Sequence, residues 1–435
     1  MSKPIVYIVH AVDVEGPMTE TIDATFDRLR AYGLPNNITA SKKNLSMIQK
    51  GEYPNLTGEL SKTLKKIFNP HSLNYFNSWK EIDEMLDRCN SNEFRYKYID
   101  STGSPYKFSW FIYDHHEGFF DNPRYHDVGT HRIFDHYMDS FLKKNKHDDG
   151  IYWHYHASSM NGNALESNTC WTNHNFHENI IARRIIERKW YFICFRAGLH
   201  LERNDLSWWL EMFSPFDFSA RYTSDESIIK PGSDFDWRNC PERWGAWHPD
   251  WYDYRKEGNM KRWQFRCTDL WTYLNILNDE EVEDAFNQAE LHGDSVLTYY
   301  NHDYRDMCFE IDEGYKVIQD VAKRHPDVEW KFVTAEQAAQ YHLKLNPKRP
   351  KIKWELNDTI LIVKTDIEIF GPQPFLAINE KGKYFRDNFT DEGNNTWVYE
   401  FRNINDLIAF GVAANSSSGL YNIIVHEMDK SHGIK

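Results

Sequence analysis

Short apolar runs alternate with amphipathic helical segments over residues 1–345, and this alternation limits the possible folds of the chain more than any other feature. Residues 5–9, 295–300 and 328–333 have the length and composition of buried strands. Residues 312–323 carry apolar side chains at helical spacing. Strands that alternate with helices pair in parallel, so the pattern predicts a parallel sheet or barrel. A polar, Asn- and Lys-rich insertion interrupts it between helical segments at residues 22–32 and 79–86.

The alternation ends at a segment that contains Pro347 and Pro350. Beyond it, short runs of alternating apolar and polar residues are separated by turn residues, which is typical of antiparallel strands. A length of 435 residues is compatible with two or three domains. We therefore predict an α/β domain over residues 1–345 and a small all-β, sandwich-like domain over residues 351–435.

The composition argues against several classes of protein. The formal net charge is −14 and no block of Lys and Arg is present, so we expect no nucleic-acid partner. No apolar stretch reaches the length of about 18 residues that a membrane span needs, and the first residues do not form a secretory signal. The six cysteines are scattered and contain no Cys-x-x-Cys pair. We expect a cytoplasmic protein without a transmembrane segment.

His154 and His156 lie two residues apart at the end of a β-rich run. Because successive side chains of a strand alternate between faces, both imidazoles share a face, roughly 6.6 Å apart along the strand, and can bind one metal ion. Asp13 and Glu15 have the same spacing after the first predicted strand. Two imidazoles with carboxylates are donors typical of a hydrolytic zinc site. An isolated His-x-His pair is more often a packed or exposed pair, so the metal hypothesis depends on the accompanying motifs.

The order of these motifs along residues 1–345 resembles that of the polysaccharide deacetylases of the NodB-homology superfamily, which are carbohydrate esterase family 4-like, metal-dependent de-N-acetylases. Residues 150–219 also resemble uncharacterised deacetylase-like proteins of bacterial surface-polysaccharide and O-antigen gene clusters. The resemblance implies a distorted (β/α) barrel of the polysaccharide-deacetylase type, followed here by the small C-terminal all-β domain.

The resemblance also implies a role for each matching residue. Asp13 and Glu15 match the family's first motif, with Asp13 as catalytic base and Glu15 as metal ligand, although the two roles could be exchanged. Arg196 matches the arginine that orients the base. His302 ends an apolar run and matches the general acid, with Asp303 beside it as a group that could orient it.

The chain departs from the family pattern in three places. No two histidines are four residues apart, so His154 and His156 must replace the family's His-(Ser/Thr)-x-x-His motif as metal ligands. Glu15 stands where many members have Asp, which lengthens the side chain by one methylene. Asp217 occupies a position where relatives carry a similar Asp, and the sequence assigns it no role.

Aromatic residues supply the candidate contacts to a sugar. A cluster of Trp and Tyr interleaved with charged residues over residues 237–254 suits stacking on sugar rings, although a small satellite core would have the same composition. We predict four substrate-binding residues: Trp153, Trp244, Trp247 and Asp303.

These expectations describe a cytoplasmic hydrolase that uses a divalent ion, zinc, bound by Glu15, His154 and His156. Its substrate would be an N-acetylated or N-formylated amino sugar of surface-polysaccharide, lipopolysaccharide or O-antigen biosynthesis, cleaved at a linear amide. Two other functions stay open. One is a glycan-binding protein that keeps the fold without a working metal site, and the other is a metal-independent glycoside hydrolase with paired carboxylates.

Overall fold

The alternating segments fold into a closed ring of parallel strands. The computed structural model describes residues 3–115, 131–144, 147–157, 171, 174–221, 237, 240–272 and 275–428. The main sheet contains β1 Ile5–Val14, β2 Ser109–His115, β3 Gly150–His156, β4 Cys194–Ala197, β5 Phe216–Arg221, β6 Ala246–Trp247, β7 Trp263–Asp269, β8 Ser295–His302 and β9 Glu329–Phe332. Since β1 pairs with both β8 and β2, seven parallel strands close in the order β1-β2-β3-β4-β5-β7-β8. The predicted (β/α) barrel is confirmed.

Two short strands distort this ring. β9 pairs with the first half of β1, and β2 pairs with its second half, so both strands share one edge of β1. β6 runs antiparallel to β7. A ring of seven strands is therefore closed only because the ten-residue β1 is long enough to serve two neighbours.

Both faces of β1 are buried, which explains its nearly continuous apolar sequence. Val6 and Val12 belong to the core between the barrel and its helices, whereas Tyr7, Val9 and Ala11 belong to the core inside the barrel. Odd-numbered residues of β1 therefore point inward.

Helices surround the ring and precede or follow its strands. They are α1 Ile22–Ala31, α2 Lys42–Lys50, α3 Gly58–Ile67, α4 Trp79–Cys89, α5 Asn92–Lys97, α6 Arg132–His136, α7 Phe176–Arg188, α8 Asn204–Phe213, α9 Asp279–His292, α10 Met307–Ala322 and α11 Ala335–His342. A π-helical turn over Tyr137–Leu142 continues α6. The polar insertion contains α2 and α3, which pack on α1 around a small core that includes Phe26, Ile48 and Leu64. No helix in the described ranges combines the length and apolarity needed to cross a bilayer.

One end of the barrel is closed by α11. Ala335, Ala338 and Ala339 pack against the inward-facing side chains at the amino ends of the strands. The backbone N–H of Glu336 donates to the Tyr152 hydroxyl at 3.2 Å. Access to the interior is therefore from the carboxyl ends of the strands.

Residues beyond 351 form two four-stranded antiparallel sheets rather than an extension of the barrel sheet. Their strands are β10 Ile352–Asn357, β11 Ile360–Thr365, β12 Phe375–Glu380, β13 Lys383–Asp387, β14 Thr390–Gly393, β15 Thr396–Glu400, β16 Leu407–Asn415 and β17 Tyr421–Glu427. The sheet orders are β10-β11-β15-β14 and β13-β12-β16-β17. Leu361, Leu376 and Phe410 lie in the core between them. The predicted C-terminal all-β fold is confirmed.

The sandwich packs on α7 through the outer face of its second sheet. Phe375, Ala377 and Ala413 alternate with the sandwich core residues and belong to the core around the barrel. A Cβ at Gly411 would lie 2.7 Å from Ile185 Cγ2, so glycine allows β16 to approach α7 this closely.

Candidate active site

Polar side chains replace apolar ones inside the barrel near the carboxyl ends of four strands. On β1, the alternation that points Tyr7, Val9 and Ala11 inward continues to Asp13 and to Glu15, just after the strand. Barrel enzymes collect their catalytic groups at this end because several strands deliver side chains to one place. The residues gathered here are Asp13, Glu15, His154, His156, Arg196 and His302.

Glu15, His154 and His156 form a group whose ligand atoms all lie within 4.8 Å of one another. Glu15 Oε1 is 3.8 Å from His154 Nε2 and 3.4 Å from His156 Nε2, and the two nitrogens are 2.9 Å apart. Ligands bound tetrahedrally to one zinc ion at about 2.0–2.1 Å lie roughly 3.3–3.5 Å from one another. The donor set therefore fits one divalent ion and leaves a coordination position for a further ligand.

The hydrogen-bond partner of the His154 ring suits this role. Its Nδ1 lies 3.1 Å from the backbone oxygen of Arg196, which can only accept a hydrogen bond. In the neutral ring Nδ1 therefore carries the hydrogen, which leaves Nε2 as the atom that could bind a metal ion.

Burial and charge set the other two donors in the same way. Burial would raise the pKa of Glu15, but the imidazoles of His154 and His156 outweigh this and hold the pKa well below its usual range. Burial lowers the pKa of His156, with Glu15 opposing the shift. An ionised carboxylate and neutral imidazoles are the forms that bind a metal ion.

The imidazole of His156 is confined between two neighbours. A Cβ at Gly198 would lie 2.4 Å from both Cγ and Cδ2 of His156, so only glycine leaves room for the ring. On another side, Tyr113 packs edge-on with ring centroids 4.8 Å apart. After Gly198, Leu199 and His200 have φ values of 53° and 55°, in the left-handed region.

Asp13 and Arg196 form a buried bidentate ion pair. Arg196 Nε donates to Oδ1 at 2.7 Å, Nη2 donates to Oδ2 at 2.9 Å, and Nη1 donates to the backbone oxygen of Phe218. Burial would raise the pKa of Asp13, but Arg196 and His154 outweigh it and keep the pKa far below its usual range. Asp13 is therefore an oriented, ionised carboxylate beside the metal-ligand group, with Oδ1 3.9 Å from His154 Nδ1.

His302 lies beside the group, with Nε2 3.7 Å from Glu15 Oε1, and its ring stacks on Tyr304. Burial lowers the pKa of His302 to about 4, although Glu15 opposes the shift. The imidazole is therefore neutral near pH 7.

Asp303 does not hydrogen-bond with His302. Its carboxylate accepts from the backbone N–H of Glu15 at 2.8 Å, from that of Gly16, and from the Tyr137 hydroxyl at 2.7 Å. Burial raises the pKa of Asp303 to about 6 even though these donors lower it. Asp303 is fully buried, and in this structure its carboxylate fixes the end of β1 through these three donors.

The three predicted tryptophans lie away from this group and are fully buried. Trp153 points to the outer side of the barrel, where Nε1 donates to Asp114 Oδ2. Trp244 lies at the amino end of β8, since its backbone oxygen accepts from the N–H of Val296. Trp247 is on β6, beside the amino end of β7. The structure therefore does not bring Trp153, Trp244 or Trp247 to the barrel mouth.

Asp217 has a supporting position on the outer side of β5. Its carboxylate accepts from Arg262 and from the backbone N–H of Ser219. The Ser219 hydroxyl in turn accepts from the N–H of Ala197, next to Arg196. Asp217 thus helps to hold the end of β4.

Two supporting residues, Gly198 and Tyr137, were not predicted from the sequence. Gly198 lies two residues after Arg196, and a glycine beside a strand end is a signal for close approach of another group. Tyr137 carries no such signal, because its contact with Asp303 spans 166 residues.

Neither a protein-family model nor a curated protein matches this sequence. Among solved structures, one similar protein comes from Mycobacterium smegmatis and is provisionally described as a polysaccharide deacetylase. The two sequences are 9% identical, and the TM-score is 0.34. The alignment covers 80% of this chain and 94% of the other chain. Another similar structure comes from Parabacteroides distasonis and is provisionally described as a glycoside hydrolase/deacetylase. Its sequence is 10% identical to this one, and the TM-score is 0.33. The alignment covers 94% of this chain and 85% of the other chain.

Proposed function

We propose that the protein is a metal-dependent hydrolase that removes an acetyl or formyl group from the nitrogen of an amino sugar. The observation that supports this most directly is the convergence of Glu15, His154 and His156 beside the Asp13–Arg196 pair. Two imidazoles, one carboxylate and an open position make the donor set of a catalytic zinc site. Zinc is therefore the ion we propose.

The roles of the side chains follow from their positions. A divalent ion held by the three donors would supply Lewis-acid chemistry, which acidifies a water molecule and polarises the acyl oxygen. Asp13 is ionised and held by Arg196, so it can accept the proton of the attacking water. The acyl carbon gains the water oxygen and loses the sugar nitrogen, and the products are a carboxylic acid and a free amine.

His302 is placed to protonate the departing nitrogen. Because burial lowers its pKa to about 4, His302 enters the reaction neutral. Arg196 lowers the pKa of Asp13, so a protonated Asp13 readily releases its proton. We therefore propose that the proton taken from water by Asp13 is passed through the site to His302 and then to nitrogen.

The proposal also covers the substrate and the cellular setting. The resemblance of residues 150–219 points to an N-acylated sugar linked to a nucleotide or lipid, used in the cytoplasm for surface-polysaccharide or O-antigen synthesis. We also propose the domain division given above, with residues 1–345 as the catalytic unit.

The test is a metal analysis joined to a product assay on the purified full-length protein. We expect about one zinc ion per chain, and release of acetate or formate from N-acylated glucosamine donors that stops with a chelator and returns with zinc. His154→Ala should lose both metal and turnover, whereas His292→Ala, an exposed histidine at the end of α9, should keep both. Release of acetate or formate that survives full metal removal would contradict the proposal. Cleavage of a glycosidic bond without metal and without release of acid would favour the glycoside hydrolase alternative. A protein without metal or turnover would favour the glycan-binding alternative.

A further inference from the structure

A cavity of about 530 Å³ lies on the outer side of the barrel, beside α8 and the sandwich loop at Gly371. Its volume falls in the range of about 300–1,000 Å³ that is usual for small-molecule sites. A Cβ at Gly371 would lie 2.0 Å from the backbone oxygen of Met212, so the sandwich loop is packed tightly on α8. The cavity therefore has one wall from each part of the molecule. Its apolar wall consists of Trp171, Trp208, Trp209, Met212, Trp251 and Pro372.

Two of these indoles are exposed and yet held in place. Trp208 is 45% exposed and Trp251 is 40% exposed, which is unusual for such large apolar side chains. Trp208 Nε1 donates to the backbone oxygen of Trp251 at 2.8 Å. Asn204 Nδ2 donates to the oxygen of Tyr252, and Asn204 Oδ1 accepts from the N–H of Tyr254. The Trp208 indole and the backbone that carries Trp251 are therefore held in place before any ligand arrives, which lowers the entropic cost of binding.

The charged groups of the cavity favour a cation. Asp205 and Glu211 line the wall, and the exposed Lys261 is the third charged residue there. The lining residues therefore carry one more acidic group than basic groups. Arg203 Nε pairs with Asp205 Oδ1 at 3.2 Å at the edge of the cavity, so a ligand ammonium would share this carboxylate with the guanidinium. Indole faces also attract cations through the quadrupole of the ring. A ligand with apolar C–H faces and positive charges would match both properties of the wall.

We propose that this cavity binds a short run of amino-sugar units whose nitrogens are free amines. The choice of a sugar rests on the proposed function, because de-N-acylation turns neutral units into cationic ones. The C–H faces of the rings stack on Trp208 and Trp251, and the ammonium groups face Trp209 and the carboxylate of Asp205. An N-acetylated unit has no ammonium group, so it binds less tightly. The site thus retains the processed part of a glycan while the barrel mouth acts on another unit.

The test compares two probes on the full-length protein, a β-1,4-linked glucosamine hexamer and the N-acetylglucosamine hexamer of equal length. We expect saturable binding by titration calorimetry, with the free-amine hexamer about 10-fold tighter and more sensitive to added salt. Trp208→Ala and Trp251→Ala should each weaken its binding by about 10-fold, whereas Tyr96→Ala, an exposed ring on α5, should not.

Three binding results would overturn the proposal: no saturable binding of either hexamer, equal or tighter binding of the acetylated hexamer, or unchanged binding in both tryptophan variants. A change of oligomeric state in Trp208→Ala would also overturn it, because it would show that a second copy of the chain covers the cavity. The His154→Ala variant separates this proposal from the function of the barrel. It should bind the free-amine hexamer as the wild type does, and loss of binding there would place the ligand at the barrel mouth. Binding of the free-amine hexamer to the cavity is therefore tested independently of metal content and turnover.

Discussion

Replacement of Gly198 by alanine should weaken metal binding without changing any ligand. The added Cβ would lie 2.4 Å from Cγ and Cδ2 of His156, whereas nonbonded carbon atoms favour separations of about 3.5–4.0 Å. The ring must therefore move by about 1 Å, and Tyr113 limits its movement on another side. Metal–ligand distances tolerate only about 0.2 Å, so Nε2 would leave the coordination position. Loss of ligand orientation typically costs 10–100-fold in metal affinity, and we expect at least about 10-fold, or about 1.4 kcal/mol.

The assay is competition for zinc with a chromophoric chelator, with circular dichroism and thermal unfolding to verify the fold. Gly245→Ala is the matched control, since its Cβ would meet the far ends of the His342 and Gln288 side chains at the other end of the barrel. The double variant Gly198→Ala/His156→Ala should bind zinc nearly as weakly as His156→Ala alone, because the shortest contacts of the added Cβ are with that ring, and the contact with the His156 Cα at 2.9 Å is the part that remains. Zinc affinity within about twofold of the wild type in Gly198→Ala, or additive losses in the double variant, would refute the reasoning.

Other residues can be tested with the same protein. Asp13→Asn should lower turnover about 10²–10⁴-fold while zinc stays bound, measured by acetate release and metal content against the exposed control Asp320→Asn. His302→Ala should also slow acetate release and keep zinc, and loss of zinc would instead identify His302 as a ligand. Burial raises the pKa of Glu281 from 4.5 to about 7, so its contribution to stability is complete below pH 4.5 and is lost as the pH rises through about 7. Urea unfolding between pH 4.5 and about 7 should show that the free energy of unfolding falls more steeply with pH in the wild type than in Glu281→Gln. Equal slopes in the two proteins would contradict this prediction.

The inward direction of the site residues could be predicted from strand alternation. Asp13 on β1 and Glu15 just after it point to the same side, and His154 and His156 share a face of β3, as their two-residue spacing requires. The same rule applies to Trp153, which neighbours His154 and must therefore point to the opposite side. The expectation that Trp153 contacts substrate did not apply this rule, and the structure places the indole among the helices.

Other features depend on contacts that no local pattern contains. β16 has no clear two-residue period because one face packs in the sandwich through Phe410 and the other packs on the barrel through Ala413, so both faces are apolar. The roles of Asp303 and Tyr137 arise from a hydrogen bond between distant segments. Trp244 and Trp247 belong to a part of the chain rich in aromatic residues, and composition alone does not distinguish a core from a cleft.

The contact of the second sandwich sheet with α7 has a consequence for synthesis of the chain. The ribosome completes α7 and the barrel strands before it makes residues 375–425, which supply the apolar partners of that helix. Until β12 and β16 emerge from the ribosome, Ile185 and its neighbours on α7 are exposed to solvent, and the nascent barrel carries an aggregation-prone apolar surface. An mRNA truncated before the codon of residue 375 should therefore yield an aggregation-prone product that binds chaperones, although all the proposed metal-binding residues have already been translated.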